Sequence, residues 1–209
     1  MGGATRRARR ERFEGRIAGL GSTSGVRMVV GRWEASPFGE FADVMLERPD
    51  GHRILYAPTG AVGDFIAETY LFDEVRTVPV TAEVRGGGWT VEADDLHLEF
   101  STGGRLPLGW LLRAVPRPVA TSTAWAGLVD PVARRVLRGV STRGQARSGR
   151  REWYGATDLR AISVLRGTLD GTPLGTLAPV EPPARFGFSS TPSRPSVTTV
   201  VTTVEVLAV

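Results

Sequence analysis

Residues 41–58 read FADVMLERPDGHRILYAP, and the class of fold follows from this stretch. Ala42, Val44 and Leu46 alternate with Asp43, Met45 and Glu47, which is the two-residue period of a half-buried strand. Arg48-Pro49-Asp50-Gly51 then makes a turn. Proline presets φ, the aspartate side chain bonds its own backbone, and glycine accepts a positive φ. His52-Arg53-Ile54-Leu55-Tyr56 carries the chain back. The pattern predicts a β-hairpin and, with it, an antiparallel β fold.

Strand signals continue on both sides. Phe13–Leu20 and Val26–Trp33 pair around Gly21 to Gly25. The loop GLGSTSG has the wrong glycine spacing for a phosphate cradle, and Thr23 stands where a nucleophile elbow needs serine. It reads as a hairpin loop. Phe65 to Phe72 carries an apolar helical face. Val75 to Arg85 alternates as one strand, with Pro79 marking an edge or a bulge. After Gly86-Gly87-Gly88, Trp89, Val91 and Ala93 alternate, followed by Leu96, Leu98 and Phe100. Residues 41–100 therefore predict a meander of about four strands.

Leu106 to Ala114 and Thr121 to Val140 read as helices, the second in two pieces with Asp130 as N-cap and Pro131 at the first helical position. Strands return at Glu152–Tyr154 and Leu159–Leu169, and Asp170-Gly171 supplies a hairpin turn. The closing VTTVVTTVEVLAV, residues 197–209, is too apolar for a free edge and is expected to pair with the N-terminal strand. The fold class is mainly β: an antiparallel meander forming a barrel or strongly curved sheet, with one or two helices inserted around residues 105–140. Residues 1–12 read as a flexible basic tail and 13–209 as a single β-rich domain.

Composition removes several chemistries. The 209-residue chain has no cysteine, and its 26 basic residues are all arginines. Thiolate nucleophiles, cysteine metal sites, Schiff-base lysines and a P-loop lysine are excluded. Two histidines, His52 and His97, cannot make a three-histidine metal site. No cofactor and no metal are implied. No stretch approaches the roughly 20 apolar residues of a spanning helix, and the N-terminus lacks the apolar segment of a secretory signal. The expectation is a soluble, cytoplasmic protein without a membrane partner.

The net charge of +4 directs attention to nucleic acid. Arginines cluster in the tail and at Arg143, Arg147, Arg150 and Arg151. No reading element accompanies them, so a nucleic-acid partner is not expected; the alternative reading they leave is a basic adaptor whose contact with nucleic acid would be blind to sequence.

Two site readings remain. If the outer residues of the opening hairpin line a barrel, Asp43, Met45, Glu47, His52 and Tyr56 become polar points in an apolar cup that holds a small apolar or amphipathic ligand without catalysis. Alternatively Asp95, His97 and Glu99 share a strand face and form a His–carboxylate centre, assisted by His52 or Tyr56. Side chains two apart on a strand stand about 7 Å apart, so such a centre needs help from other strands. The five tryptophans are too scattered to suggest an aromatic box. The chain resembles uncharacterised proteins of GC-rich bacteria. With its meander and Gly31-Arg32-Trp33, matching the G-x-W of that family, it also resembles calycin-type (lipocalin-like) barrels. That resemblance implies an internal ligand and transfers no functional residue.

Overall fold

The structure is a computed structural model that describes residues 8–136, 140–145, 150–187 and 189–206. Strands β1 (Arg9–Ser22) and β2 (Arg27–Ala35) form a first hairpin, and β3 (Phe41–Glu47) and β4 (Arg53–Ala57) a second. The second turn closes as its residues predict. Gly51 sits at φ 90° and donates to Arg48 O at 2.9 Å, while Asp50 Oδ1 accepts from His52 N–H at 2.9 Å. Helix α1 (Gly60–Ala67) begins at Gly60 rather than Phe65, because Thr59 Oγ1 accepts the Val62 N–H at 3.3 Å and caps it.

The stretch expected as one strand from Val75 to Arg85 is divided. β5 (Glu74–Thr77) runs parallel to β4 at one edge of the sheet, and β6 (Val80–Arg85) lies at the other edge. Val78-Pro79 joins them, and proline ends the ladder because it has no N–H to donate. Two residues can span the edges only if the sheet curls until they meet. Across that seam Arg32 Nε on β2 donates to Ala82 O on β6 at 3.0 Å. The expected meander is therefore two pieces: β3 and β4 near one edge, and β6, β7 (Gly88–Ala93) and β8 (Leu96–Arg105) at the other.

With β10 (Arg151–Leu169) and β13 (Ser196–Val206), the order is β5-β4-β3-β2-β1-β13-β10-β8-β7-β6, strongly curved and not closed. The closing strand does pair with the N-terminal one. β1 also begins inside the segment expected as a tail. Arg9 to Arg12 pair with Val206 to Thr203, and Arg10 and Arg12 each meet a carboxylate, Glu205 and Glu14, at 3.0 Å. β10 is continuous where two strands were expected, since a bulge between Ala156 and Asp158 absorbs the break in pattern. Short strands β9 (Arg143–Gln145) and β11 (Thr172–Pro173) pair with β10, and β12 (Leu177–Ala178) pairs with β1.

The chain between β8 and β9 forms α2 (Pro107–Ala114), α3 (Arg117–Ala120) and α4 (Thr123–Val136). Helix α4 continues through Pro131. Asp130 does not cap a new helix there. Its Oδ1 instead accepts the N–H groups of Thr142, at 2.7 Å, and Arg143, at 3.2 Å, holding the return of the chain.

Both halves of the sheet contribute to the core inside the curl. Leu20, Met28, Val30, Val44, Leu46 and Tyr56 meet Val91, Leu96, Leu98, Phe100 and Leu165, and none of these is more than 3% exposed. The concave interior expected to receive a ligand is filled by these side chains.

Candidate functional site

The opposite face of the central strands is covered by helices. On β3, Phe41, Asp43 and Met45 point away from the Ala42, Val44 and Leu46 of the core. Strand pairing sets them beside Val29, Gly31 and Trp33 of β2, then Phe13 and Ile17 of β1, Thr198, Val200 and Thr202 of β13, and Glu152, Tyr154 and Ala156 of β10. Above this floor stand Phe65 and Ile66 of α1, Leu108, Leu111 and Leu112 of α2, and Trp125 and Val129 of α4. The space between is a cavity of about 540 Å³ with a predominantly apolar lining.

Two carboxyl groups interrupt that lining. Asp43 is 2% exposed. Burial pushes its pKa from 3.8 up to about 6, against a smaller lowering by the Trp33 indole. Trp33 Nε1 donates to Asp43 Oδ1 at 2.8 Å. Gly31 lies between them on the same face. A Cβ at that position would run into Asp43 Oδ1 and come within 2.7 Å of Trp33 Nε1, so the bond requires glycine there. Asp43 has no cationic partner among the described residues.

Glu152 lies across the floor on β10, with β2, β1 and β13 between it and β3. Tyr70, just after α1, donates to Glu152 Oε1 at 2.7 Å, Tyr154 donates to Oε2 at 3.1 Å, and the two phenol oxygens are 2.8 Å apart. Three contacts in a ring need three protons. With both phenol protons directed at a carboxylate, the contact between the phenol oxygens has none; a proton on Glu152 lets the carboxyl group donate to one phenol, which is then free to donate to the other. Burial raises the Glu152 pKa from 4.5 to about 7 in the same direction, although the two phenols and Arg150 oppose it. Both phenols are pushed well above their usual range, first by burial and then by the nearby carboxyl group.

Arg150 fixes this wall. Its guanidinium donates to Phe65 O and Thr69 Oγ1 at 2.8 Å, pairs with Glu68 and stacks 4.5 Å from the Phe65 ring centroid. A cation there also suits the carbonyl end of α1. A second fixed group is aromatic. Phe13 stands 5.7 Å from Trp33 and 5.3 Å from Phe65, and Trp33 is 6.3 Å from Phe41. Thr202, 4% exposed, and Ser190 and Thr191 bring hydroxyls to the cavity that have no hydrogen-bond partner among the described residues.

The residues singled out by sequence do not gather in one place. Asp43 and Met45 line the cavity. Glu47 shares their face but is tied down beyond it, 3.1 Å from Arg27 Nη2 and accepting Arg185 N–H at 2.7 Å. His52, Tyr56 and Asp95 meet at one end of the curl. Tyr56 donates to Asp95 Oδ1 at 2.8 Å, Arg76 reaches Asp95 Oδ2 at 2.6 Å, and His52 joins through Glu74 at 3.3 Å. Burial pushes Asp95 up, but hydrogen bonds with Asp170, Arg76 and Tyr56 outweigh it and hold its pKa low.

Asp95 does not share a strand face with His97 and Glu99, because Asp94 at φ 53° places it in the turn between β7 and β8. His97 and Glu99 lie on the solvent side of β8, where His97 Nδ1 is 2.6 Å from Glu92 Oε1. Among the described residues no three His, Asp or Glu side chains are grouped to hold a metal ion. Of the arginines considered for nucleic acid, Arg150 is buried as described, Arg151 is exposed near Glu205, Arg143 stands on β9, and Arg147 lies outside the described residues.

Sequence reading passed over Glu152, Tyr70 and Tyr154 as a unit. Glu152 and Tyr154 are two apart on a strand, so one face was readable, but Tyr70 comes from a segment 82 residues away. The aromatic group leaves little mark in the sequence because its members, Phe13, Trp33, Phe41 and Phe65, are mostly phenylalanines that come from separate elements.

No family model matches the chain, and no curated protein matches it. The solved structures similar to it include the following two. An acetoacetate decarboxylase from Legionella pneumophila is 9% identical, with 100% of this chain and 91% of that one covered at a TM-score of 0.43. A protein assigned as AttH from Nitrosomonas europaea is 14% identical over 94% of this chain at a TM-score of 0.30, and the chain spans about half of that protein, 51%. Likeness at this level brings no chemistry to the present chain. No described helix is long and apolar enough to cross a membrane.

Proposed function

We propose that this protein binds a small apolar or amphipathic molecule in the cavity between the outer face of its sheet and helices α1, α2 and α4. The observation that carries the reading is the cavity itself, about 540 Å³ and mostly apolar, inside the range of roughly 300–1,000 Å³ usual for small-molecule sites. A few polar groups on an apolar wall are the usual means of orienting such a ligand. Native mass spectrometry of protein purified from its host tests it. A retained small mass, lost on denaturation, is the expected result. A bare polypeptide that also fails to take up an apolar fluorescent probe would contradict it.

A second reading, catalysis, has one specific observation behind it. Glu152 is a buried acid that holds its proton near neutrality beside an apolar cavity, the condition for a general acid or base. Its test is incubation of the recovered ligand with protein and with Glu152→Gln. A change in the ligand's mass only with the unaltered protein supports catalysis, and an unchanged ligand rules it out.

A further inference from the structure

Asp43 differs from the other buried carboxyl groups near the sheet. Glu47 has Arg27 at 3.1 Å, and Glu152 sits within its ring of phenols. Asp43 has a single donor, the Trp33 indole on Oδ1, and Oδ2 has no partner among the described residues. The rings of Trp33 and Phe41 flank it on the cavity floor, because those two residues pair across β2 and β3 one step along from Asp43. No arginine or histidine is among the described residues that line the cavity, in a chain with 26 arginines.

A buried carboxylate without a cation is costly. An anionic ligand would add a second uncompensated charge to the same enclosure. A protonated amine would instead supply the missing cation and a donor for Oδ2, and aromatic faces attract ammonium groups. We propose that the cavity selects an apolar molecule bearing one protonated amine, with its ammonium on Asp43 beside the rings of Trp33 and Phe41 and its apolar part along the helix side. This rests on the reading of the cavity as a ligand site.

Three probes of equal chain length separate the two ideas: decylamine, 1-decanol and decanoate, each titrated calorimetrically into the full chain at neutral pH and below its micelle concentration. The expected order is decylamine first, by about tenfold over 1-decanol, which is the worth of one charge-assisted bond, with decanoate weakest. Asp43→Asn should bring decylamine to within about threefold of 1-decanol. Decanoate binding as tightly as decylamine to the unaltered protein overturns the amine inference and leaves the ligand site standing; this comparison needs no variant. An undiminished preference for decylamine in Asp43→Asn overturns it as well. If none of the three binds the unaltered protein, the ligand site itself fails and the inference fails with it.

Discussion

Val44 and Met45 are consecutive residues of β3, yet they look into different environments. Val44 meets the inside of the curl, where buried side chains from both halves of the sheet pack against one another. Met45 faces a cavity roofed by helices. The inside has its partners supplied by the sheet's own curvature, so shape is satisfied wherever the two halves meet. The outside depends on helices with little sequence in common with the strands, and their fit leaves space. A curved sheet can thus keep its scaffold on one face and a site on the other.

Truncation should separate the faces most strongly. Leu46→Ala should cost about 2–5 kcal/mol, since Leu46 is fully buried in the filled interior. Met45→Ala removes a side chain that already borders open space and should cost less than about 2 kcal/mol. Urea denaturation of both variants gives the ratio, and equal losses would break the comparison.

The next effect is on pH. Asp43 and Glu152 have folded-state pKa values raised to about 6 and about 7 from 3.8 and 4.5. Between each pair of values the folded chain keeps a proton that the unfolded chain has released. Stability from these groups is therefore fully present at low pH and is lost as pH rises through about 6 and about 7. Each contributes up to about 3 kcal/mol to that fall. Denaturation midpoints measured across this range should decline, and Asp43→Asn and Glu152→Gln should each flatten part of the decline. A rise with pH in the unaltered protein that both variants preserve would contradict the assignment.

Gly31→Ala tests the site wall with a single methyl. The new Cβ collides with Asp43 Oδ1, so a loss of about 1–3 kcal/mol is expected. A changed Trp33 emission spectrum should accompany it. The smallest effect belongs to the solvent side of β8. His97→Ala should shift stability by no more than about 0.5 kcal/mol and leave probe binding intact.

How much of this could be read in advance varies with distance along the chain. The hairpin at 48–51 was legible because turn chemistry is local, and so was the alternation that separates Asp43 and Met45 from Val44. Alternation cannot say which face the chain will later cover. That depended on Pro79, which looked like an irregularity in one strand and is instead the point where the chain crosses between opposite edges of the sheet. The Asp43 environment was half legible, since Gly31-Arg32-Trp33 was noticed without its purpose, the room that glycine leaves for an indole–carboxylate bond. The Glu152 ring was out of reach because Tyr70 arrives through the position of α1. Asp95 was misplaced by a positive φ at Asp94, where aspartate served as a turn residue and not as the start of a strand.

The central claim is that the open space lies on the outer face and the curl is solid. Crystals pressurised with xenon test it directly, because dry apolar cavities take up xenon. Xenon is expected among Ile17, Thr198 and Leu112, and none between Leu46 and Leu98. Xenon inside the curl, or none beneath α2 and α4, would contradict it.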